Sequence, residues 1–264
     1  MRFATSKLWF SHLSRSRWMS PILLLILWQL GSGAGLIPVR TLAAPTSVLA
    51  TMFGMIQSGE LQSNLLVSFW RALIGLAIGV SVGIALGLMA GLSRQGDAVI
   101  DPIIQIKRTI PVVALSPLFI VWFGIGETPK IALIAFATIF PIYLNLYQGI
   151  RGVDVRLIDA ARSFGLGRTE IIRHVILPGA LPSLLTGLRY SLSIAVVMLV
   201  IAEQINASEG LGFLINNARD FMRTDIIVVC LLVYAILGLA GDLLVRAIEK
   251  RALAWQPSLV EARS

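Results

Sequence analysis

The chain has 264 residues, of which 56% are hydrophobic and only 14% charged, and its mean hydropathy is +0.83. A soluble domain of this length carries far more charge, and the apolar residues here stand in long blocks, so the composition excludes a soluble enzyme and describes an integral membrane protein. The net charge of +8 raises nucleic acid as a partner, but the placement of that charge argues against it.

A basic stretch, 1–18, holds Arg2, Lys7, Arg15 and Arg17 and precedes the first apolar block, Met19 to Ile37. We read it as a tail before a membrane span. The only processing-like site, Leu42-Ala43-Ala44, lies beyond the roughly 15–30 residues of a usual signal peptide. The second block, Leu65 to Leu92, carries glycine at 75, 79, 83, 87 and 91. Residues four apart share one helical row, and a row without side chains lets another backbone approach closely. We expect its partner within the same chain. The third block, Val99 to Ile125, is interrupted by Lys107, Arg108, Pro111 and Pro117, and the fourth, Pro129 to Ile150, contains Pro141. Proline removes a backbone N–H and bends or breaks a helix, which a membrane tolerates where protein or a water-filled cavity meets the freed groups. The fifth block runs from Leu181 to Ile205 and the sixth from Ile226 to Ile248. The expected architecture is therefore all-α, one polytopic domain of six transmembrane helices over 19–250, with a terminal tail 251–264.

The basic residues orient it. Arg2, Lys7, Arg15, Arg17, Arg94, Arg151, Arg156, Arg162, Arg168, Arg173, Arg246, Lys250, Arg251 and Arg263 fall on one side, and only Arg40, Lys130, Arg219 and Arg223 on the other. That asymmetry puts both termini and the 151–182 loop in the cytoplasm. The positive charge is then a topology signal, and no nucleic acid is expected. Ionisable groups inside spans are functional candidates by default. Arg71 and Glu203 stand near the far ends of their spans, where they can snorkel. Arg189 and Asp242 can pair. Lys107 and Arg108 admit two readings: a structural one with a counter-ion such as Asp101, or a cationic site on an anion's path. Cys230 is the single cysteine, and His12 and His174 are the only histidines, so no metal set or cofactor is expected.

The most ordered-looking polar segment is Asp159 to Pro178, between the fourth and fifth blocks. Asp154 is placed to cap a short helix whose Leu157, Ile158, Ala161 and Phe164 share a face, and Gly165 is its natural stop. Thr169 is the expected cap of a second helix with Glu170 in its first turn, an apolar face of Ile171, Ile172, Val175 and Ile176, and Pro178 as its end. A loop between spans needs no such order unless something docks on it.

This segment resembles the cytoplasmic loop of ABC importer permeases: Glu-Ala-Ala, three residues, Gly, nine residues, Ile, one residue, Leu-Pro. Asp159, Ala160, Ala161, Gly165, Leu177 and Pro178 occupy those places in register, with Asp159 in place of Glu and Val175 in place of Ile. Further segments are similar to the permeases of aliphatic sulfonate importers: Trp70 to Gly75, Gly91 to Arg94, Trp122 to Ile125, Phe140 to Tyr143, His174 to Ser183 and Asn217 to Phe221. Nitrate, taurine, bicarbonate, cyanate and thiamine-precursor permeases are near relatives. The resemblance implies a type I importer fold in a bacterial inner membrane, with the loop coupling to a cytoplasmic ATP-binding subunit. It further implies a periplasmic substrate-binding protein and a second permease copy as partners. Independently, the chain has no Gly-x4-Gly-Lys-Ser/Thr loop to cradle ATP. A self-sufficient channel or secondary transporter would need a chain of carboxylates or histidines in its spans, where only Glu203 and Asp242 are available.

Overall fold

The computed structural model describes residues 19–205 and 207–255. The tail residues Arg2, Lys7, His12, Arg15, Arg17 and Arg263 lie outside the described residues. The chain divides into two compact units. One holds residues 19–62 with Leu214–Leu232, and the other Ser63–Phe213 with the chain from Val233 onward.

In the first unit, α1 (Met19–Gly33) and α2 (Pro45–Gln57) are joined by Gln29. Its side chain donates to Thr46 Oγ1 (3.3 Å) and accepts from Thr46 N (3.2 Å). Pro45 opens α2, where its missing N–H would be unpaired in any case. Thr51 donates to Asp225 (2.7 Å), and Thr224 donates to Val39 O (2.8 Å). At 15 residues, α1 is shorter than the expected Met19–Ile37 span, because the chain turns after Gly33.

The second unit is the packed bundle. α3 (Glu60–Leu92) has 33 residues and α6 (Glu127–Arg151) has 25. The glycine row of α3 lies on α6, as expected. Gly75 meets Ile134, Gly79 meets Thr138, Gly83 meets Ile142, Gly87 meets Leu146 and Gly91 meets Ile150. Each partner lies 59 positions on (134 from 75, 150 from 91), so the two helices run parallel. The chain between them must therefore return from the Leu92 end to the Glu60 end.

That return is broken, as the prolines in the Val99 to Ile125 block lead us to expect. α4 (Arg94–Thr109) stops before Pro111. A 3₁₀ turn (Val112–Leu115) follows, then α5 (Ser116–Phe123), and the two halves are bent by 90°. Ile110 is extended (φ −86°, ψ 119°), the conformation that a following proline imposes. Pro117 sits in the first turn of α5, where proline is tolerated, and Pro141 is accommodated within α6.

α7 (Val155–Ser163) is a short helix. α8 (Arg168–Ile171), a π turn (Ile172–Ile176) and α9 (Leu177–Gln204) then run on as one 37-residue helix. α9 is antiparallel to α6: Gly149 meets Ser183, Gly187 meets Asn145, and Ser191 donates to Thr138 O (3.1 Å). α10 (Leu211–Asp220) and α11 (Thr224–Ala252) are the last elements among the described residues. Arg189 pairs with Asp242 (3.2 Å), as expected, and with Glu249 (2.6 Å). Among the described residues, four helices are thus long and apolar enough to cross a membrane, and the bent pair makes up to five. Gly79-Val80-Ser81-Val82-Gly83 has the letters of a hydrolase nucleophile turn, but Ser81 lies inside α3 and donates to Ala77 O (2.8 Å) like any helical serine.

Candidate functional site

The Leu92 end of the bundle carries the ordered loop. Asp154 accepts from Arg156 N (2.9 Å) and caps α7. The apolar face expected of this helix is split: Ala161 is buried and Ile158 half-buried, whereas Leu157 and Phe164 point outward, Phe164 being 85% exposed. Gly165 has φ +83°, with its N–H donating to Arg162 O (2.9 Å) and the Leu166 N–H to Ala161 O (3.2 Å). This closes the helix in the way that requires a left-handed residue.

Thr169 is not the cap of the second helix. Gly167 takes that place, and Glu170, expected in the first turn, accepts from Gly167 N (2.7 Å). A carboxylate three residues into a helix reaches back to the free N–H more strongly than a hydroxyl can. Nor does Pro178 end the helix. The π turn just before it re-registers the backbone, so that the missing donor and the proline ring are absorbed without a break.

Of the motif residues, Asp159, Ala160 and Gly165 are exposed, Ala161 is buried, and Leu177 and Pro178 lie at the start of α9. Asp159 pairs with Arg162 at the surface (3.2 Å). Two arginines tie the loop to the bundle. Arg151 donates to Asp97 of α4 (2.8 Å), and Arg168 donates to the Leu92 carbonyl at the end of α3 (3.4 Å). Tyr147 also donates to Asp97 (2.8 Å), Tyr143 donates to Asp101 (2.9 Å), and the two rings stack at 5.7 Å. This side of α6 therefore grips α4.

Lys107 is half-buried. It donates to Phe136 O (2.6 Å) and lies over the Phe136 ring (4.5 Å to its centre). Arg108 is exposed. The counter-ion suggested for them, Asp101, is instead engaged by Tyr143 and Gln105. The two cations are thus not neutralised by Asp101, and they do not share one site.

The opposite end of α3 holds a dense polar cluster, and it corrects the snorkelling expected of Arg71 and Glu203. Arg71 is 4% exposed and Glu203 wholly buried, and they pair at 2.8 Å. Glu203 also accepts from the hydroxyls of Ser68 (2.7 Å) and Tyr234 (3.0 Å) and from Gly212 N (2.9 Å). Arg71 donates further to Glu209 O (2.6 Å) and to both carboxylate oxygens of Glu127, and Lys130 donates to Glu127 (2.9 Å). Buried charge is tolerated here because Glu203 meets a cation and hydrogen-bond donors, and Arg71 meets carboxylates and a backbone carbonyl. Gly210 has φ +112°, and a Cβ there would stand 2.5 Å from Glu203 Oε1. The Gly210-Leu211-Gly212 turn seven residues after an in-span glutamate was the available sequence signal. Glu127, Ser68 and Tyr234 gave none.

The architecture is that of the membrane subunit of an ABC importer. An amino acid ABC transporter crystallised with histidines superposes with a TM-score of 0.62, covering 76% of this chain and 98% of that one at 21% identity, a likeness of fold. The chain belongs to the family described as binding-protein-dependent transport system inner membrane component, whose model matches residues 83–253. It is 46% identical over 241 residues to SsuC of Escherichia coli K12, a permease protein named for aliphatic sulfonates transport, covering 91% of this chain and 92% of that one. It is 35% identical over 261 residues to the taurine transport system permease protein TauC of the same organism, covering 92% and 95%. The chain is therefore a multi-pass permease subunit that forms the translocation path of an ABC importer. It has no nucleotide-binding motif of its own, and importers of this kind work with an ATP-binding subunit and a substrate-binding protein.

Proposed function

We propose that the solute is a small organosulfonate, carried inward across the bacterial inner membrane. The observation that carries this is the 46% identity to an aliphatic sulfonates permease over nearly the full length of both chains. The taurine permease as a second relative supports the same head group, since taurine is itself an aminoalkanesulfonate. Nitrate and bicarbonate share only the negative charge and rank behind.

In this reading α1 is the first of six spans. Its 15 residues rise roughly 22 Å against a hydrocarbon core of about 30 Å, a shortfall that local bilayer thinning accommodates. Both termini are cytoplasmic, as the arginine asymmetry requires. The 151–182 loop docks on the ATP-binding subunit through the surface of Asp159, Ala160 and Gly165, with Ala161 packed beneath it. Leu177 and Pro178 pass the motion into α9. The exposed Phe164 supports this, because a large apolar ring held out beside a left-handed turn is left uncovered by the described residues. Lys107 and Arg108 supply positive potential beside the break at Pro111. A second copy of the chain closes the path, and a periplasmic protein delivers the anion.

Copurification and a reporter active only in the cytoplasm test the arrangement. The chain brings down an ATP-binding subunit, and a fusion after Ser264 is active while one near Glu60 is not. Activity at Glu60 overturns the topology, and a chain that purifies without an ATPase overturns the docking role of the loop.

A further inference from the structure

We propose that Arg71 is the fork of an anion site, and that the Glu127 carboxylate is a resident occupant displaced by the sulfonate head of an alkanesulfonate. The inference deepens the sulfonate reading above and rests on it.

A guanidinium has five N–H donors in a rigid plane. In Arg71, Nη1 is spent inward on Glu203 Oε1 (2.8 Å) and Glu209 O (2.6 Å). The other edge, Nε with Nη2, has a spacing that matches two oxygens of a carboxylate or sulfonate. It faces the two oxygens of Glu127, with Nη2 to Oε1 at 2.7 Å. Lys130 adds a second cation to the same carboxylate at 2.9 Å.

The two carboxylates around Arg71 are held very differently. Glu203 is sealed and takes donors from Ser68, Tyr234 and Gly212, so it fixes the arginine in place as a positioning group. Glu127 is 53% exposed and is the first residue of α6. It follows Gly124 (φ +77°) and Gly126 (φ +149°), and a Cβ at either glycine would meet nothing within 4 Å. The carboxylate thus rides on an open, glycine-built joint. With Glu127 swung away, the Nε–Nη2 edge of Arg71 and the Lys130 ammonium lose the carboxylate they share, and a monoanion in its place restores the same charge.

The groove beside the fork fits the remainder of such a solute. Val67, Trp70, Ile74 and Ile131 form its apolar part, and Arg71, Glu127, Ser208 and Glu209 its polar part. A sulfonate on the fork would lay its alkyl chain against an apolar wall, whereas nitrate would leave that wall bare. The site stands at the end of α3 away from the loop, distinct from Lys107 and Arg108.

The test uses the assembled permease and ATP-binding subunit in liposomes without binding protein, and reads the ethanesulfonate concentration that half-maximally stimulates ATP hydrolysis. Glu127→Gln removes the competing charge and keeps the shape. The half-maximal concentration falls about fivefold, the worth of one half-exposed carboxylate–guanidinium pair. Adding Arg71→Lys cancels the gain, because an ammonium cannot grip two oxygens side by side. Hexanesulfonate gains at least as much as ethanesulfonate. An unchanged or raised concentration in Glu127→Gln overturns the fork. Should that variant fail to assemble, Glu127→Ala is read in the same way, and failure of both makes Glu127 structural and overturns the proposal. Uptake by the wild-type importer with its binding protein is measured alongside. Sulfonate uptake without a Glu127→Gln shift defeats the fork alone. A shift seen with nitrate in an importer that carries no sulfonate defeats the sulfonate reading and leaves the fork standing.

Discussion

Gly79→Ala is the sharpest perturbation of the bundle. An added Cβ would stand 1.9 Å from Thr138 Oγ1 and 2.5 Å from Ala135 O, where ordinary contact begins near 3.4 Å. The hydroxyl can rotate, at the cost of its bonds to Ile134 O and Ala135 O (both 3.0 Å). The carbonyl belongs to the α6 backbone and cannot. The deficit there is 0.9 Å (3.4 − 2.5), so α3 and α6 must separate by nearly that much along a seam that also holds Gly75 and Gly83. Overpacking of this kind costs about 1–3 kcal/mol. At Gly87 the nearest atoms all belong to Leu146, Cδ2 at 3.1 Å and Cβ and Cγ at 3.3 Å, so Gly87→Ala costs far less than Gly79→Ala. Thermal unfolding of the purified complex reads the difference, at about 2–4 °C per kcal/mol for a chain of this size. Thr138→Ala in the Gly79→Ala background restores part of the loss, because it removes the 1.9 Å contact and leaves the carbonyl. A Gly87→Ala variant less stable than Gly79→Ala would refute the seam.

Three further outcomes follow from named contacts. Gly165→Val places a β-branched residue at φ +83°, which costs about 1–2 kcal/mol locally; ATPase association weakens or hydrolysis uncouples, with membrane insertion normal, and wild-type transport by purified complexes would remove the role given to Gly165. Arg71→Met leaves Glu203 sealed without its cation and lowers stability by about 3–5 kcal/mol, whereas Arg71→Met with Glu203→Gln loses less; melting of the two variants in the opposite order would contradict the pairing. Arg108→Gln, at an exposed residue, lowers transport while assembly and basal ATPase activity persist; lost assembly with a normal rate per surviving complex would make Arg108 structural.

The glycine row and the first half of the loop were legible because both are local. A four-residue repeat and an Asp…Gly helix frame act within one or two turns, and α3 and α7 form as those patterns require. The Arg71–Glu203 pair was not, since its members lie 132 positions apart and only the antiparallel placement of α3 and α9 brings them together. Each looked like a separate charge near a span end. The π turn before Pro178 and the 90° bend at Pro111 show the same limit in another form. The sequence marks a proline, but the surrounding packing decides whether the chain re-registers, as at Pro178, or turns, as at Pro111. The cap of α8 shows how local rivals are decided. Thr169 and Glu170 are adjacent, and the charged acceptor prevails.

The central claim is tested most directly by uptake in sealed liposomes holding this chain, its ATP-binding subunit and its binding protein, with radiolabelled ethanesulfonate outside. The account predicts accumulation that requires ATP on the side of the 151–182 loop and stops when any one of the three components is omitted. Accumulation by this chain alone, without ATP, would contradict it, as would an importer that hydrolyses ATP in response to some other solute and ignores every sulfonate offered.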